Sequence, residues 1–210
     1  MCVMGKSGFT LVEVMIGLLL VIFLSSLGFV AIQTTTSSAN LSRAQSELQS
    51  EARNIIIALS REVEAAVQPI MAGEPPLPPG VQGLQVLDAG RTLRFQVPLN
   101  ETFTAFSAPV TIRYENEDLP DEQAESILGN ALLDGGEDTN EDGVLTRRLV
   151  RQQAGVTGIV GGANHLADVR FELQENGDVL RVSLVLTRPM GTRPSQLIRC
   201  QVQEDIYLMN

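Results

Sequence analysis

The sequence predicts an α+β protein in which one long N-terminal helix, apolar at first and amphipathic afterwards, packs on an antiparallel β-sheet domain. Three observations carry this expectation. Between Val14 and Ile32 no charged side chain appears. From Leu41 to Ala66 apolar residues recur at spacings of three and four, the period of one helix face. Beyond a Pro- and Gly-rich break, short runs alternate between apolar and polar residues, the period of a half-buried strand.

The elements follow in chain order. Residues 9–33 are read as a transmembrane helix: at ~1.5 Å per residue, Phe9 to Ile32 covers roughly 35 Å, enough to cross a hydrocarbon core of ~30 Å. No proline interrupts this run, so the helix is expected to be continuous, with Gly17 and Gly28 its weakest points. Residues 34–67 continue it as an amphipathic helix. Gln33 to Ser38 mark its exit from lipid, and Leu41, Ala44, Leu48, Ala52, Ile55, Leu59, Val63 and Ala66 form the apolar stripe. That stripe either packs on the chain's own globular domain or receives a partner helix. Residues 68–83 hold Pro69, Pro75, Pro76, Pro78, Pro79, Gly73, Gly80 and Gly83, too many breakers for a regular element, and are read as a linker.

Residues 84–210 are read as the β-rich domain. Strands are expected over Thr92 to Val97, Val110 to Tyr114, Leu145 to Arg151 and Leu197 to Tyr207. Val169 to Leu173 and Val179 to Leu186 flank Asn176-Gly177, which predicts an antiparallel hairpin closed by a type I′ turn. Cys200 falls in the apolar phase of the last strand and is expected in the core. Gly161-Gly162 is read as a turn.

The start of the chain is the most specific stretch. In Gly8-Phe9-Thr10-Leu11-Val12-Glu13, a short leader bearing Lys6 meets the apolar run. Gly8 has no side chain, so the backbone there can lie close against a protease surface. Glu13 sits near the entrance of the bilayer core, where an ionised carboxylate costs ~2.5–3.5 kcal/mol on insertion scales. It therefore asks for a cation or for protonation, and the amine that cleavage after Gly8 would create on Phe9 is the nearest candidate.

This string, followed by an apolar helix, resembles the class III signal of type IV pilins and type II secretion pseudopilins. The resemblance implies that a prepilin peptidase and methyltransferase removes residues 1–8 between Gly8 and Phe9 and methylates the new terminus. Gly8 and Phe9 are then processing residues, and Glu13 an assembly residue that pairs with a neighbour's N-terminal amine. The layout beyond residue 35 resembles the larger minor pseudopilins and pilins of the J and W types. Location at a bacterial inner membrane follows by the same resemblance, single-pass with the C-terminal domain in the periplasm.

Composition excludes several function classes. There are 15 Lys+Arg against 25 Asp+Glu, a formal net charge of −10, which argues against a general nucleic-acid surface. Lys6 is the only lysine, so a processed chain would carry its sole amine on Phe9. Cys2 would leave with the leader, and Cys200 alone cannot form an internal disulfide. His165 is the only histidine, which rules out a multi-histidine metal centre and most Ser/His or Cys/His arrangements. No catalytic constellation is visible, and a non-enzymatic protein is expected.

One stretch, within the acidic loop 134–146, has metal-site spacing. Asp138, Asn140 and Asp142 fall at positions one, three and five of an EF-hand-type loop, Gly143 at six, and the carbonyl of Val144 at seven. Position twelve is Leu149 rather than a bidentate Glu, so further oxygens for Ca2+ would have to come from Asp134, Glu137 or water. The alternative is a solvated acidic turn. Calcium-binding loops of several pseudopilins support the site by resemblance, without placing it here.

The functional expectation is a minor pilin-like subunit of a type II secretion pseudopilus or a type IV pilus. It would join other pilin-like subunits in a hetero-oligomeric filament and help to form or prime its tip. The alternative is a filament-borne receptor or adhesin domain that binds secreted cargo or a surface.

Overall fold

The computed structural model describes residues 10–68, 77, 79–100, 102, 104–118, 131–133, 136–138, 141, 143–162, 164–174, 177–190 and 193–208. Gly8, Phe9, Asn140, Asp142, Asp134 and most of the Pro/Gly-rich stretch lie outside them. The chain divides into two compact units, residues 1–43 and 44–210.

The first unit is helical from Leu11 onward and belongs to α1 (Leu11–Val63), which has no break at Gly17 or Gly28. Thr10 caps it: the Glu13 amide donates to Thr10 Oγ1 at 3.3 Å and to the Thr10 carbonyl at 3.0 Å. Thr10 and Glu13 thus occupy the N-cap and N3 positions, and the Glu13 carboxylate lies in the first turn, where the helix dipole favours negative charge. Every side chain from Leu11 to Asn40 is exposed. This is a helix long and apolar enough to cross a membrane, with no protein covering it. Thr34, Thr35 and Thr36 turn their hydroxyls back onto carbonyls three or four residues earlier, so the polar stretch keeps its backbone helical.

In the second unit, α1 buries Leu48, Ala52, Ile55, Ile56, Leu59 and Val63, and Ala66 continues the stripe. Arg53, Arg61 and Glu64 face solvent. The stripe therefore packs on the chain's own domain, and each large side chain in it contributes roughly 1.5–3 kcal/mol by leaving water. After the helix, Val67 is laced between two segments: its amide donates to the Gln96 carbonyl at 2.9 Å and its carbonyl accepts from Leu84 at 2.8 Å.

Among the described residues the β-domain holds two antiparallel sheets rather than the single one the patterning suggests. The first is a meander of β1 (Gln85–Leu87), β2 (Thr92–Phe95), β3 (Val110–Asn116), β4 (Arg147–Gln153) and β5 (Val156–Val160), in that spatial order. The second is β6 (Leu166–Leu173), β7 (Val179–Met190) and β8 (Arg193–Tyr207). Leu93, Phe95, Val110, Ile112 and Leu149 supply the buried face of the first sheet, and Val169, Phe171, Leu180, Val182, Leu184 and Leu186 that of the second. Gly90, with φ of 93°, lets the turn after β1 come against β6, where a Cβ would stand 2.9 Å from the Phe171 carbonyl oxygen. In the second sheet Arg181 forks onto Asp205 across the β7–β8 pair at 2.8 and 3.0 Å, and these bonds hold the Asp205 carboxyl below the usual range.

Several strand expectations shift. β1 and β5 add strands that the alternation does not reveal, because β1 is three residues long and Val156 to Ile159 are exposed on both faces of a sheet edge. Two successive positive-φ residues, the backbone of a type I′ turn, occur at Ala154 (50°) and Gly155 (81°), between paired Gln153 and Val156. The β6–β7 hairpin is antiparallel as expected, but its turn differs. The Gly177 amide donates to the Gln174 carbonyl at 2.9 Å, which puts Gly177 fourth in the turn rather than third, with φ of 71°. Cys200 is half-buried rather than in the core, with its thiol pKa pushed up by burial.

Gly161 proves to be more than a turn residue. With φ of 75°, it lies so close to α1 that an added Cβ would stand 2.6 Å from Ile55 Cγ1 and 2.8 Å from Ile55 Cα. Its neighbour Gly162 has φ of 67° and open space around it. Gly162→Ala therefore carries backbone strain alone, about 1–2 kcal/mol. Gly161→Ala adds overpacking of a further ~1–3 kcal/mol. Denaturant titration of the two variants should rank them in that order.

Candidate functional site

The predicted site residues fall in two places. Glu13 stands in the first turn of α1, in the first unit, and Gly8 and Phe9 precede the described residues. Asp138 and Val144 lie in the acidic loop of the second unit. There Asp138 Oδ2 accepts the Gly143 amide at 2.9 Å, and Gly143 has φ of 72°. Positions one and six of the expected loop are thereby drawn together, as a wrapping turn requires. Val144 is 56% exposed, and its carbonyl receives the Thr146 hydroxyl at 3.5 Å. Among the described residues no group of three or more His, Cys, Asp or Glu side chains could hold a metal ion, and Asn140 and Asp142 lie outside them.

The most concentrated polar chemistry lies elsewhere, around a residue that sequence reasoning passed over. Arg147 opens β4, and its side chain is only 2% exposed. Its Nη1 stands 3.7 Å from Oδ2 of Asp118, which is equally buried, and its Nη2 donates to Thr187 Oγ1 at 2.5 Å. Among the described residues its Nε meets no hydrogen-bond acceptor. Burial pulls the guanidinium pKa down, opposed by the Asp118 charge and, less strongly, by Tyr114 and Glu51. Asp118 Oδ2 also accepts the Ala131 amide at 3.0 Å.

Around this pair the backbone is fastened by side chains. Asn164 Oδ1 accepts the Arg147 amide at 2.7 Å while its Nδ2 donates to the Leu145 carbonyl. Glu117 receives the Thr146 amide at 2.8 Å. His165 ties α1 to the second sheet: Nδ1 lies 2.8 and 3.0 Å from the two Glu51 oxygens, its amide donates to Glu51 Oε1 at 3.2 Å, and its carbonyl accepts from Thr187 at 2.9 Å. One turn earlier on α1, Glu47 pairs with Arg188 of β7. Beside Arg147 the Tyr114 hydroxyl meets the Leu166 and Ala167 carbonyls of β6 at 3.0 and 2.5 Å.

This cluster binds strands and helix to one another, and among the described residues no hydroxyl or thiol hydrogen-bonds the His165 ring. Removing one member of the buried Arg147–Asp118 pair would leave a charge without its partner, typically ~3–5 kcal/mol. Two signals could have marked it beforehand: a lone histidine beside Asn164, and an Arg pair directly ahead of the apolar Leu149-Val150. Comparison of the chain with family models, with curated proteins and with solved structures returned no match in any of the three.

Tyr114 provides the pH dependence. Its phenol pKa is raised, chiefly by burial, with the Asp168 charge adding and Arg147 and Arg91 opposing. An unfolded phenol ionises near pH ~10 and the folded one later, so the folded state binds the extra proton and stability falls as pH rises above about 10. In a Tyr207→Phe background, tyrosinate absorbance should stay low until the alkaline unfolding transition and rise with it. Tyr114→Phe should shed that pH dependence, and lose about 1–2 kcal/mol at neutral pH with the one O–H that the two carbonyls share.

Proposed function

We propose that the chain is a membrane-anchored minor pilin-like subunit of a type II secretion pseudopilus or a type IV pilus. The observation that carries this reading is Gly8-Phe9-Thr10-Leu11-Val12-Glu13 at the head of a helix whose apolar side chains from Leu11 to Ile32 have no protein cover. Such a surface needs lipid or other helices around it. Before assembly, lipid covers it, with residues 44–210 on the periplasmic side. In the filament, apolar helices of other pilin-like subunits replace the lipid, and Glu13 meets the N-terminal amine of a neighbour. Its role there is structural.

Glu13→Val tests the pairing. It makes the helix more apolar and spares Gly8, so intact mass of the membrane-extracted variant should still show loss of residues 1–8 plus one methyl. Crosslinking to other pilin-like subunits should fall, since removing one member of a desolvated ion pair typically costs ~2–5 kcal/mol. A variant that assembles like wild type would reduce Glu13 to a passenger, and a wild-type chain that keeps Lys6 would remove the reading itself.

Calcium in the acidic loop belongs to the same proposal. Asp138, Asn140, Asp142 and the Val144 carbonyl would hold it, with Asp134 or Glu137 completing the oxygen shell, and the Asp138–Gly143 closure fits such a loop. The bound ion would brace the loop rather than perform chemistry. Binding to the folded state alone stabilises by about 2.7 kcal/mol at a hundred times Kd. The full chain in detergent should therefore melt higher in calcium than in chelator, and Asp138→Ala with Asp142→Ala should erase the gap.

A further inference from the structure

β8 forms one end of the second sheet, and among the described residues no strand pairs with its outer edge. The direction of its backbone groups follows from one bond. The Leu208 amide donates to the Asp178 carbonyl at 2.8 Å, directly beyond the paired Tyr207 and Val179, so the even-numbered residues of β8 are the ones that bond β7. Register is unbroken from Leu197 to Tyr207. The N–H and C=O groups of Leu197, Arg199, Gln201, Gln203, Asp205 and Tyr207 therefore point away from the sheet. No proline or lysine interrupts this row, and an open row of that length is a template for another strand.

We propose that the occupant of this edge is the same edge of a second copy of the chain, paired antiparallel about a twofold axis at Val202. The pairing rests on β8 alone and does not depend on the pilin reading. An axis at Val202 sets odd-numbered residues opposite odd-numbered ones, so the outward N–H and C=O groups of one copy meet those of the other. The side chains match in the same register. Arg199 faces Asp205 of the second copy, Leu197 faces Tyr207, Gln201 faces Gln203, and Val202 meets its own equivalent. Leu197, Arg199 and Tyr207 are exposed in the single chain and free to make these contacts. Asp205 is already forked by Arg181, and its remaining lone pairs can take Arg199 as well. Neighbouring axes lose the match. An axis at Cys200 sets Arg199 against Gln201, one at Gln201 sets Leu197 against Asp205, one at Gln203 leaves Asp205 against Gln201, and one at Glu204 brings two carboxylates together. Because a twofold contact closes on itself, it makes a pair of subunits and adds no further ones.

Cysteine crosslinking reads both the pairing and its register. At the axis the two Val202 residues form a non-hydrogen-bonded pair with Cα atoms ~4.5 Å apart, within disulfide range. The two Cys200 residues stand four positions out of step, ~13 Å apart along the strands, since each faces Glu204 of the other copy. Full-length chain carrying Cys2→Ser is oxidised mildly in membranes. With Cys200 as the remaining thiol it should stay monomeric. With Cys200→Ser and Val202→Cys it should be captured as a disulfide-linked homodimer, identified by intact mass. In that background Gln203→Pro removes an outward amide and leaves the β7 ladder intact, and it should abolish capture. Arg199→Glu, at an exposed position, should slow capture roughly fivefold by setting like charges across the axis, with the melting temperature little changed. A Val202→Cys chain that stays monomeric, or that crosslinks only to other proteins, overturns the proposal. So does capture through Cys200 at an equal rate, or an undiminished rate in the Arg199→Glu variant.

Discussion

Everything in residues 44–210 depends on burial of the α1 stripe from Leu48 to Val63. Each sheet carries a row of Leu, Val, Ile and Phe side chains on one face, and a small β-domain that left such a face wet would lose most of its driving force. The helix supplies the cover. The cover works only because the chain after β5 can come against it, and Gly161 is where it does so, beside Ile55. The same helix turn that buries Ala52 presents Glu51 to His165, so apolar packing and the polar clamp are set by one rotation of the helix.

The buried charge of Arg147 sits where regular structure runs out. Among the described residues no strand ladder joins the first sheet to the second, and backbone groups at such a junction still need partners. Side chains supply them. Tyr114 takes the Leu166 and Ala167 carbonyls, Asn164 takes the Arg147 amide and the Leu145 carbonyl, and Thr187 gives Arg147 an acceptor. Packed apolar residues of the same volume would hold the junction at least as tightly. They would also leave those carbonyls and amides unmet.

Much of this was legible in the sequence, and the parts that were not share a cause. The stripe on α1 could be read directly because helical spacing repeats over six turns, and the structure buries the residues it named from Leu48 to Ala66. Gly143 was legible too as a turn residue, and its φ of 72° is that of a sharp turn. Division into two sheets was not, since alternation tells which face of a strand is apolar and nothing about which strand lies beside it. β5 was missed because an edge strand exposed on both faces has no reason to alternate. Arg147 and Asp118 were passed over, since their burial is set by segments as distant along the chain as Thr187.

The order of strands also bears on how the chain reaches this arrangement. Every ladder joins strands consecutive in sequence, β1 to β2 through β4 to β5 and again β6 to β7 to β8, so each sheet can grow by adding one strand at a time. The links between helix and strands are of another kind: Glu51 to His165 spans 114 residues and Glu47 to Arg188 spans 141. Closing loops of that length costs entropy before any contact repays it, and such steps are the slow ones in small proteins. Short-range sheet pairing is thus expected ahead of capture of the helix, which is the contact that fixes the sheets in place.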